Sequence, residues 1–182
     1  MKYETKTVHE VTAAQIEDIL KLWNIPHWNG MTTDEFRTAF SNSEFHFLVE
    51  DDQILAILRL NMDFILDIDD NEYAFMEVVG FVSSEKNKGY GRKLLRCFKE
   101  HIQERDLEVI GFCKAELRPF YEKCQIRILY NQARIIKEKE GTAWIDSEDD
   151  DILIFSLSDE KATLLSQLPE NKTYLKDQKN EI

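Results

Sequence analysis

Proline and glycine are scarce in this chain, three and six among 182 residues, and so are cysteine and histidine, three and four. So little proline and glycine excludes a collagen-like or low-complexity chain, and 43% hydrophobic residues exclude a disordered one. The cysteines, Cys97, Cys113 and Cys124, are odd in number, lie in apolar or helical stretches and form no Cys-x-x-Cys pair, as reduced cytosolic thiols would. The histidines His9, His27, His46 and His101 are scattered, and His9-Glu10 has no second histidine at zinc-helix spacing, so no metal is expected. No run approaches the ~18 apolar residues of a membrane span, and no apolar stretch follows Met1 to Lys6. A soluble, cytoplasmic protein without a membrane partner is the expectation. Basic residues are also in short supply. With 35 Asp and Glu against 23 Lys and Arg, the net charge is −12, which repels phosphate backbones over about a Debye length and argues against nucleic acid as partner. What remains fits one compact domain of ~100–200 residues, able to bury about 70% of its unfolded surface without disulfide or metal.

The hydrophobic pattern predicts mixed α and β structure. Tyr3 to Val11 alternates like a strand, and Thr12-Ala13-Ala14-Gln15 has the spacing of a capping box before Ile16, Ile19, Leu20 and Trp23. Pro26 and Asn29-Gly30 break that helix, and Thr32 to Glu35 caps a second one through Phe36 and Phe40. Phe45 to Glu50 and Gln53 to Met62 read as a hairpin turning at Asp51-Asp52, and an acidic link, Asp67 to Asn71, leads to a long strand from Tyr73 to Val82. Leu94, Leu95, Phe98 and Ile102 give an amphipathic helix over 92–105, followed by a buried strand at Val109 to Cys113 parallel to the one before it. A short helix at Pro119 to Lys123, strands at Arg127 to Ile136 and Ile152 to Leu157, and a helix capped by Ser158 complete the pattern. The count is about seven strands and about four helices, with a polar tail from Pro169 expected to fray.

Chemistry concentrates at Phe81-Val82-Ser83-Ser84-Glu85-Lys86-Asn87-Lys88-Gly89-Tyr90-Gly91-Arg92-Lys93. Two glycines where a strand turns into a helix let successive backbone N–H groups face one concavity at the positive end of the helix dipole, a setting suited to phosphate. Lys86, Lys88, Arg92 and Lys93 reverse the local charge of an acidic chain. A solvated basic helix start is the plainer alternative. A dinucleotide fingerprint fails because Leu94 stands where its third glycine belongs, and a P-loop fails because Gly91-Arg92-Lys93 replaces Gly-Lys-Ser/Thr.

Lys86-Asn87-Lys88-Gly89-Tyr90-Gly91 resembles the acetyl-CoA signature Gln/Arg-x-x-Gly-x-Gly/Ala of the GNAT superfamily of N-acetyltransferases, with Lys at its first position. Ala115 to Lys123, ending in Phe120-Tyr121-Glu122-Lys123, is similar to the family's fourth-helix segment, although Gln125-Ile126 replaces its usual Gly-Phe. The likeness spans roughly residues 3–157. It implies a GNAT fold of class α/β (α+β), a mixed sheet of about seven strands splayed between the fourth and fifth, with residues 1–157 as the transferase domain and 158–182 as a C-terminal helix and polar tail. It further implies transfer of an acetyl group from acetyl-CoA, as co-substrate, to a small-molecule amine of aminoglycoside-like or polyamine-like kind, with a homodimer as one option.

In that picture acetyl-CoA contacts Phe81, Val82, Ser83, Lys86, Asn87, Lys88, Gly89, Tyr90, Gly91 and Arg92, and Tyr121 protonates the leaving thiolate. The amine, with a pKa of ~10.4, must lose a proton before it attacks. Glu77 is the first candidate for that base, on the strand face shared by Phe75, Val79 and Phe81; a structurally paired or solvent-facing Glu77 is the alternative. Asp67, Asp69, Asp70 and Glu72 form either an acidic lure for a cation or a solvated loop, and Trp23, Trp28, Phe36 and Phe40 either an acceptor wall or core. The departure at Lys86 also leaves open an acyl-CoA-binding regulatory module with little or no turnover.

Overall fold

The computed structural model describes residues 1–140 and 142–176. The chain divides into two compact units: Met1–Met62 with Val78–Glu100, and Asp63–Glu77 with residues 101–176. Among the described residues there are ten strands and five α-helices, three strands more than the sequence suggests, while each of the five helices answers to a segment read as helical.

The first unit holds β1 (Lys2–Thr7), α1 (Ala13–Trp23), α2 (Thr33–Ala39), β2 (Ser43–Glu50), the start of β3 (Gln53–Ile68), the end of β4 (Asn71–Ser83) and most of α3 (Tyr90–Glu104). Both N-terminal helices begin at the capping boxes read from the sequence, Thr12 with Gln15 and Thr32 with Glu35. β1 pairs antiparallel with β2, and β2 with β3, around Asp51-Asp52, whose φ angles of 49° and 62° match a tight two-residue hairpin. The aromatics of α1 and α2 are mainly core. Phe36 and Phe40 are buried with Phe45 and Phe47, while Trp23 and Trp28 pack half-buried against them, the Phe36 and Phe40 rings 4.7 Å apart.

The second unit contains the end of β3, the start of β4, β5 (Val109–Cys113), α4 (Arg118–Lys123), β6 (Arg127–Leu129), β7 (Lys137–Glu140), β8 (Ala143–Asp146), β9 (Asp151–Ser156), α5 (Asp159–Leu165) and β10 (Thr173–Leu175). Its strands are ordered β6-β9-β5-β4-β3-β10-β7-β8. The apolar core here gathers Phe64, Leu66 and Phe75 with Ile110, Ile152 and Leu165, so α5 seals one sheet face. No helix of the described residues is long and apolar enough to cross a membrane.

Four expectations need correction in this unit. The acidic link is no link: β3 runs to Ile68 and β4 starts at Asn71, leaving Asp69 and Asp70 as a two-residue turn with φ angles of 50° and 64°. The strand expected over 127–136 stops at Leu129, because Asn131 turns left-handed (φ 59°) and its N–H donates to the buried Asp151 carboxylate at 2.7 Å, before a 3-10 turn at Ala133–Ile135. β7 and β8 form an additional exposed hairpin that the short segment Ala143–Asp146 did not announce. Part of the polar tail is β10, antiparallel to β3 and parallel to β7, with Thr173 fully buried. Its flanking lysines pair with the acidic turn, Lys172 with Asp69 at 2.5 Å and Lys176 with Glu72, so those two carboxylates are engaged within the fold.

Candidate active site

In the first unit, β4 ends at Ser83 and the chain crosses to α3 through residues 84–89. Ser84 anchors the crossing, its N–H and hydroxyl both donating to the Leu55 carbonyl at 3.0 and 3.1 Å. Asn87 (φ 63°) and Gly89 (φ 80°) flank Lys88 in the left-handed region, and this alternation of hand turns successive N–H groups toward one concavity. The Gly89 carbonyl takes the Lys93 N–H at 3.0 Å as the first helical bond. The N–H groups of Tyr90, Gly91 and Arg92 therefore have no acceptor one turn back in α3. A Cβ at Gly89 would meet nothing within 4 Å, so the elbow opens outward. Gly91 lies inside the first turn with ordinary helical geometry, and only Gly89 needs glycine for its φ. Lys86, Asn87, Lys88 and Arg92 are exposed, Phe81, Val82, Ser83, Tyr90 and Gly91 half-buried, and Lys88 is 3.7 Å from Glu85. Lys86 to Arg92 thus form an amide-rich elbow with a cationic rim, and Phe81 to Ser83 end the strand that leads into it.

Gly80, just before this stretch, carries a feature the sequence reading missed. It sits within β4 at φ 62°, and its carbonyl accepts a hydrogen bond from the Trp23 indole N–H at 2.7 Å. A Cβ there would lie 2.8 Å from Trp23 Nε1. The left-handed residue interrupts the two-residue alternation of the strand. The face assigned to Phe75, Glu77, Val79 and Phe81 is therefore interrupted before Phe81. A glycine inside an apolar strand was the only signal available.

Glu77 and Tyr121 belong to the second unit. Glu77 is half-buried on β4. Tyr121, on α4, is 6% exposed, and among the described residues nothing hydrogen-bonds its hydroxyl. Burial above all, then Cys113, Cys124 and the carboxylate of Asp149, push the phenol well above its ordinary pKa, so it keeps its proton. Burial and the Asp151 and Asp149 carboxylates likewise push the Cys113 thiol up to about 12, which removes it as a nucleophile at neutral pH.

The segment carrying Tyr121 is pinned from the far end of the chain. Arg118 makes a two-pronged pair with the fully buried Asp151, Nε to Oδ2 at 2.5 Å and a terminal nitrogen to Oδ1 at 2.7 Å, and also reaches Asn131 at 2.9 Å. Asp150 accepts from the Ala115 N–H at 2.6 Å and donates its own N–H to the Cys113 carbonyl at 3.0 Å. Residues 113–121 and 149–151, remote in sequence, are thereby held together.

The sequence matches the family model described as acetyltransferase (GNAT) family over residues 13–125. No curated protein matches it. Similar solved structures include an acyl-CoA N-acyltransferase from Pseudomonas aeruginosa, 16% identical, TM-score 0.53, covering 84% of this chain and 97% of that one. A GNAT family N-acetyltransferase from Escherichia coli in complex with CoA is 7% identical with a TM-score of 0.53, over 96% of this chain and 89% of its own. A probable N-acyltransferase from Enterococcus faecalis is 10% identical with a TM-score of 0.50 over 68% of this chain, which spans only 32% of that protein. At these identities the likeness is one of fold.

Proposed function

This chain belongs to the GNAT family of acetyltransferases and is an acyltransferase, and from that premise we propose that it moves an acetyl group from acetyl-CoA to the primary amine of a small molecule by direct attack. The observation that carries this reading is the elbow from Asn87 to Gly91. Two left-handed residues turn its amides outward at the start of a 15-residue helix, with lysine and arginine around it in a chain of net charge −12. A diphosphate fits there through backbone amides, with Lys86, Lys88 and Arg92 neutralising charge and Phe81, Val82 and Ser83 meeting the pantetheine arm.

The chemistry then runs as two proton movements around one bond exchange. Glu77 takes one proton from the ammonium form of the acceptor and passes it to solvent. The freed amine attacks the thioester carbonyl, the C–N bond forms, and the C–S bond breaks with its electron pair on sulfur. Tyr121 gives its proton to that thiolate, and the second proton lost by the attacked nitrogen restores the phenol. What supports the choice of Tyr121 is that burial keeps its phenol protonated at neutral pH and that, among the described residues, no hydrogen bond engages its hydroxyl.

The test is calorimetry with acetyl-CoA together with thiol release over a panel of aminoglycosides, polyamines and simple alkylamines. Acetyl-CoA binding with amine-dependent release of CoA is expected. Binding without release for any amine overturns the small-molecule reading, and no binding overturns the site.

A further inference from the structure

In the strand order of the second unit, β8 stands last and pairs with β7 alone. Edge strands are ordinarily blunted with lysine, proline or a bulge, because an open row of backbone groups invites another chain. β8 carries the opposite equipment. All of Ala143-Trp144-Ile145-Asp146 is exposed, and its middle is a tryptophan and an isoleucine, 49% and 38% exposed. Successive side chains of a strand point to opposite faces, so one large apolar group flanks the edge on each face. Trp144 is held by Tyr174 of β10, the ring centroids 4.9 Å apart.

One hydrogen bond settles which backbone groups face outward. The Ser147 N–H donates to the Ile136 carbonyl at 3.1 Å, and these two residues continue the register in which Lys137 faces Asp146, Glu138 faces Ile145 and Lys139 faces Trp144. Bonded and non-bonded pairs alternate along an antiparallel ladder. With Ile136 and Ser147 bonded, Glu138 and Ile145 are bonded too, while Trp144 and Asp146 turn their N–H and C=O away from β7. Among the described residues no strand meets these groups.

We propose that β8 pairs antiparallel with β8 of a second copy of this chain, across a two-fold axis at Ile145, so that two sheets join edge to edge. Such an axis sets one residue opposite its own copy. Centred on Ile145, Trp144 exchanges both bonds with the second copy's Asp146, and Asp146 with the second copy's Trp144, so every outward group of both strands is used within β8. Centred on Trp144, Asp146 would face position 142, outside the strand. The side chains match in the same register. One face reads Lys139, Trp144, then the second copy's Asp146 and Lys137; the other reads Glu138, Ile145, then the second copy's Ile145 and Glu138. Each Asp146 keeps the ion pair with its own Lys137, no carboxylate faces a carboxylate, and the isoleucines cover each other. A strand this short makes a reversible dimer, not an obligate one. Two copies of net charge −12 also repel at distance, so salt strengthens their association, whereas it would weaken that of a basic peptide. This surface stands independently of the acetyltransferase reading.

Sedimentation velocity from about 1 to about 200 µM protein reads the equilibrium. A dimer is expected, tighter at about 0.5 M salt than at about 0.05 M. Ile145→Lys and Ile145→Glu each set like charges opposite one another and should each weaken it about tenfold or more, while their equimolar mixture, with lysine facing glutamate, should recover association. A wild type that stays monomeric throughout overturns the proposal without any variant. A dimer that both variants keep overturns it, and so does a mixture no more associated than its parts. The peptide Lys-Val-Thr-Val-Lys is titrated into wild type over the same salt range. Binding of that peptide which falls with salt and is lost in Ile145→Lys, with no dimer of the chain, would make the edge a peptide site and overturn the proposal as well.

Discussion

The hydroxyl of Tyr121 forms no hydrogen bond among the described residues, although its ring is buried, and this separates the catalytic role proposed for it from its structural contribution. Removing a hydroxyl that has no partner sacrifices no internal bond, so Tyr121→Phe should keep the thermal midpoint of the wild type. Turnover should fall about 10²–10⁴-fold with acetyl-CoA affinity unchanged, read by steady-state kinetics and calorimetry. Equal activity in that variant removes Tyr121 from the mechanism. Asp149 allows a further test on stability. Its folded pKa lies above the ordinary 3.8, so the native state holds its proton more tightly than the unfolded chain. The stability this lends at low pH is lost as pH rises from the ordinary carboxylate value through the raised one. Asp150 behaves in the opposite sense: the Ala115 N–H and Arg134 lower its pKa, so its contribution is lost as pH falls. Asp149→Asn should therefore flatten the decline of stability with rising pH above about pH 4, measured by urea denaturation across pH, and should leave the acid-side loss in place.

Among the elements, β4 depends on a residue 57 positions away, since the Trp23 indole holds the Gly80 carbonyl. Gly80→Ala puts an L side chain at φ 62° and a Cβ 2.8 Å from that indole. The expected cost is about 1–3 kcal/mol in urea denaturation, together with weaker acetyl-CoA binding, because Phe81 to Ser83 follow directly. At α4, Arg118→Ala strands the fully buried Asp151, whereas Arg134→Ala removes an exposed partner of Asp150. The first should lower the thermal midpoint clearly and the second little. These long-range dependences also explain what the sequence could disclose. Thr12 with Gln15 and Thr32 with Glu35 were legible because a capping box lies within four residues, and the elbow from Lys86 to Arg92 because it is contiguous. The end of β6 was not, since Asp151 dictates it from across the unit, nor was β10, whose three residues become a strand only beside β3 and β7. The same reason hid the tie between the segments around Tyr121 and Asp151, which depends on Asp150 meeting Cys113 and Ala115.

For the molecule as a whole, the excess of 35 acidic over 23 basic residues acts at long range, while the cationic rim of the elbow acts locally. A net charge of −12 gathers cations around the protein and repels the anionic cofactor, and both effects fade as the Debye length shrinks, from about 10 Å at 0.1 M salt to about 3 Å at 1 M. For a cationic amine, salt simply weakens the attraction at distance. For acetyl-CoA two effects oppose, because salt relieves repulsion by the whole protein while it weakens the grip proposed for Lys86, Lys88 and Arg92. Raising salt from about 0.03 M to about 0.5 M should therefore lift the KM for spermidine several-fold, lift that for a monoamine less, and move that for acetyl-CoA least. Steady-state kinetics over that range, with each substrate varied in turn, measures all three responses. A rise in the acetyl-CoA KM as steep as that for spermidine would mean that the local cationic rim, and not the acidic whole, governs how this protein meets its substrates.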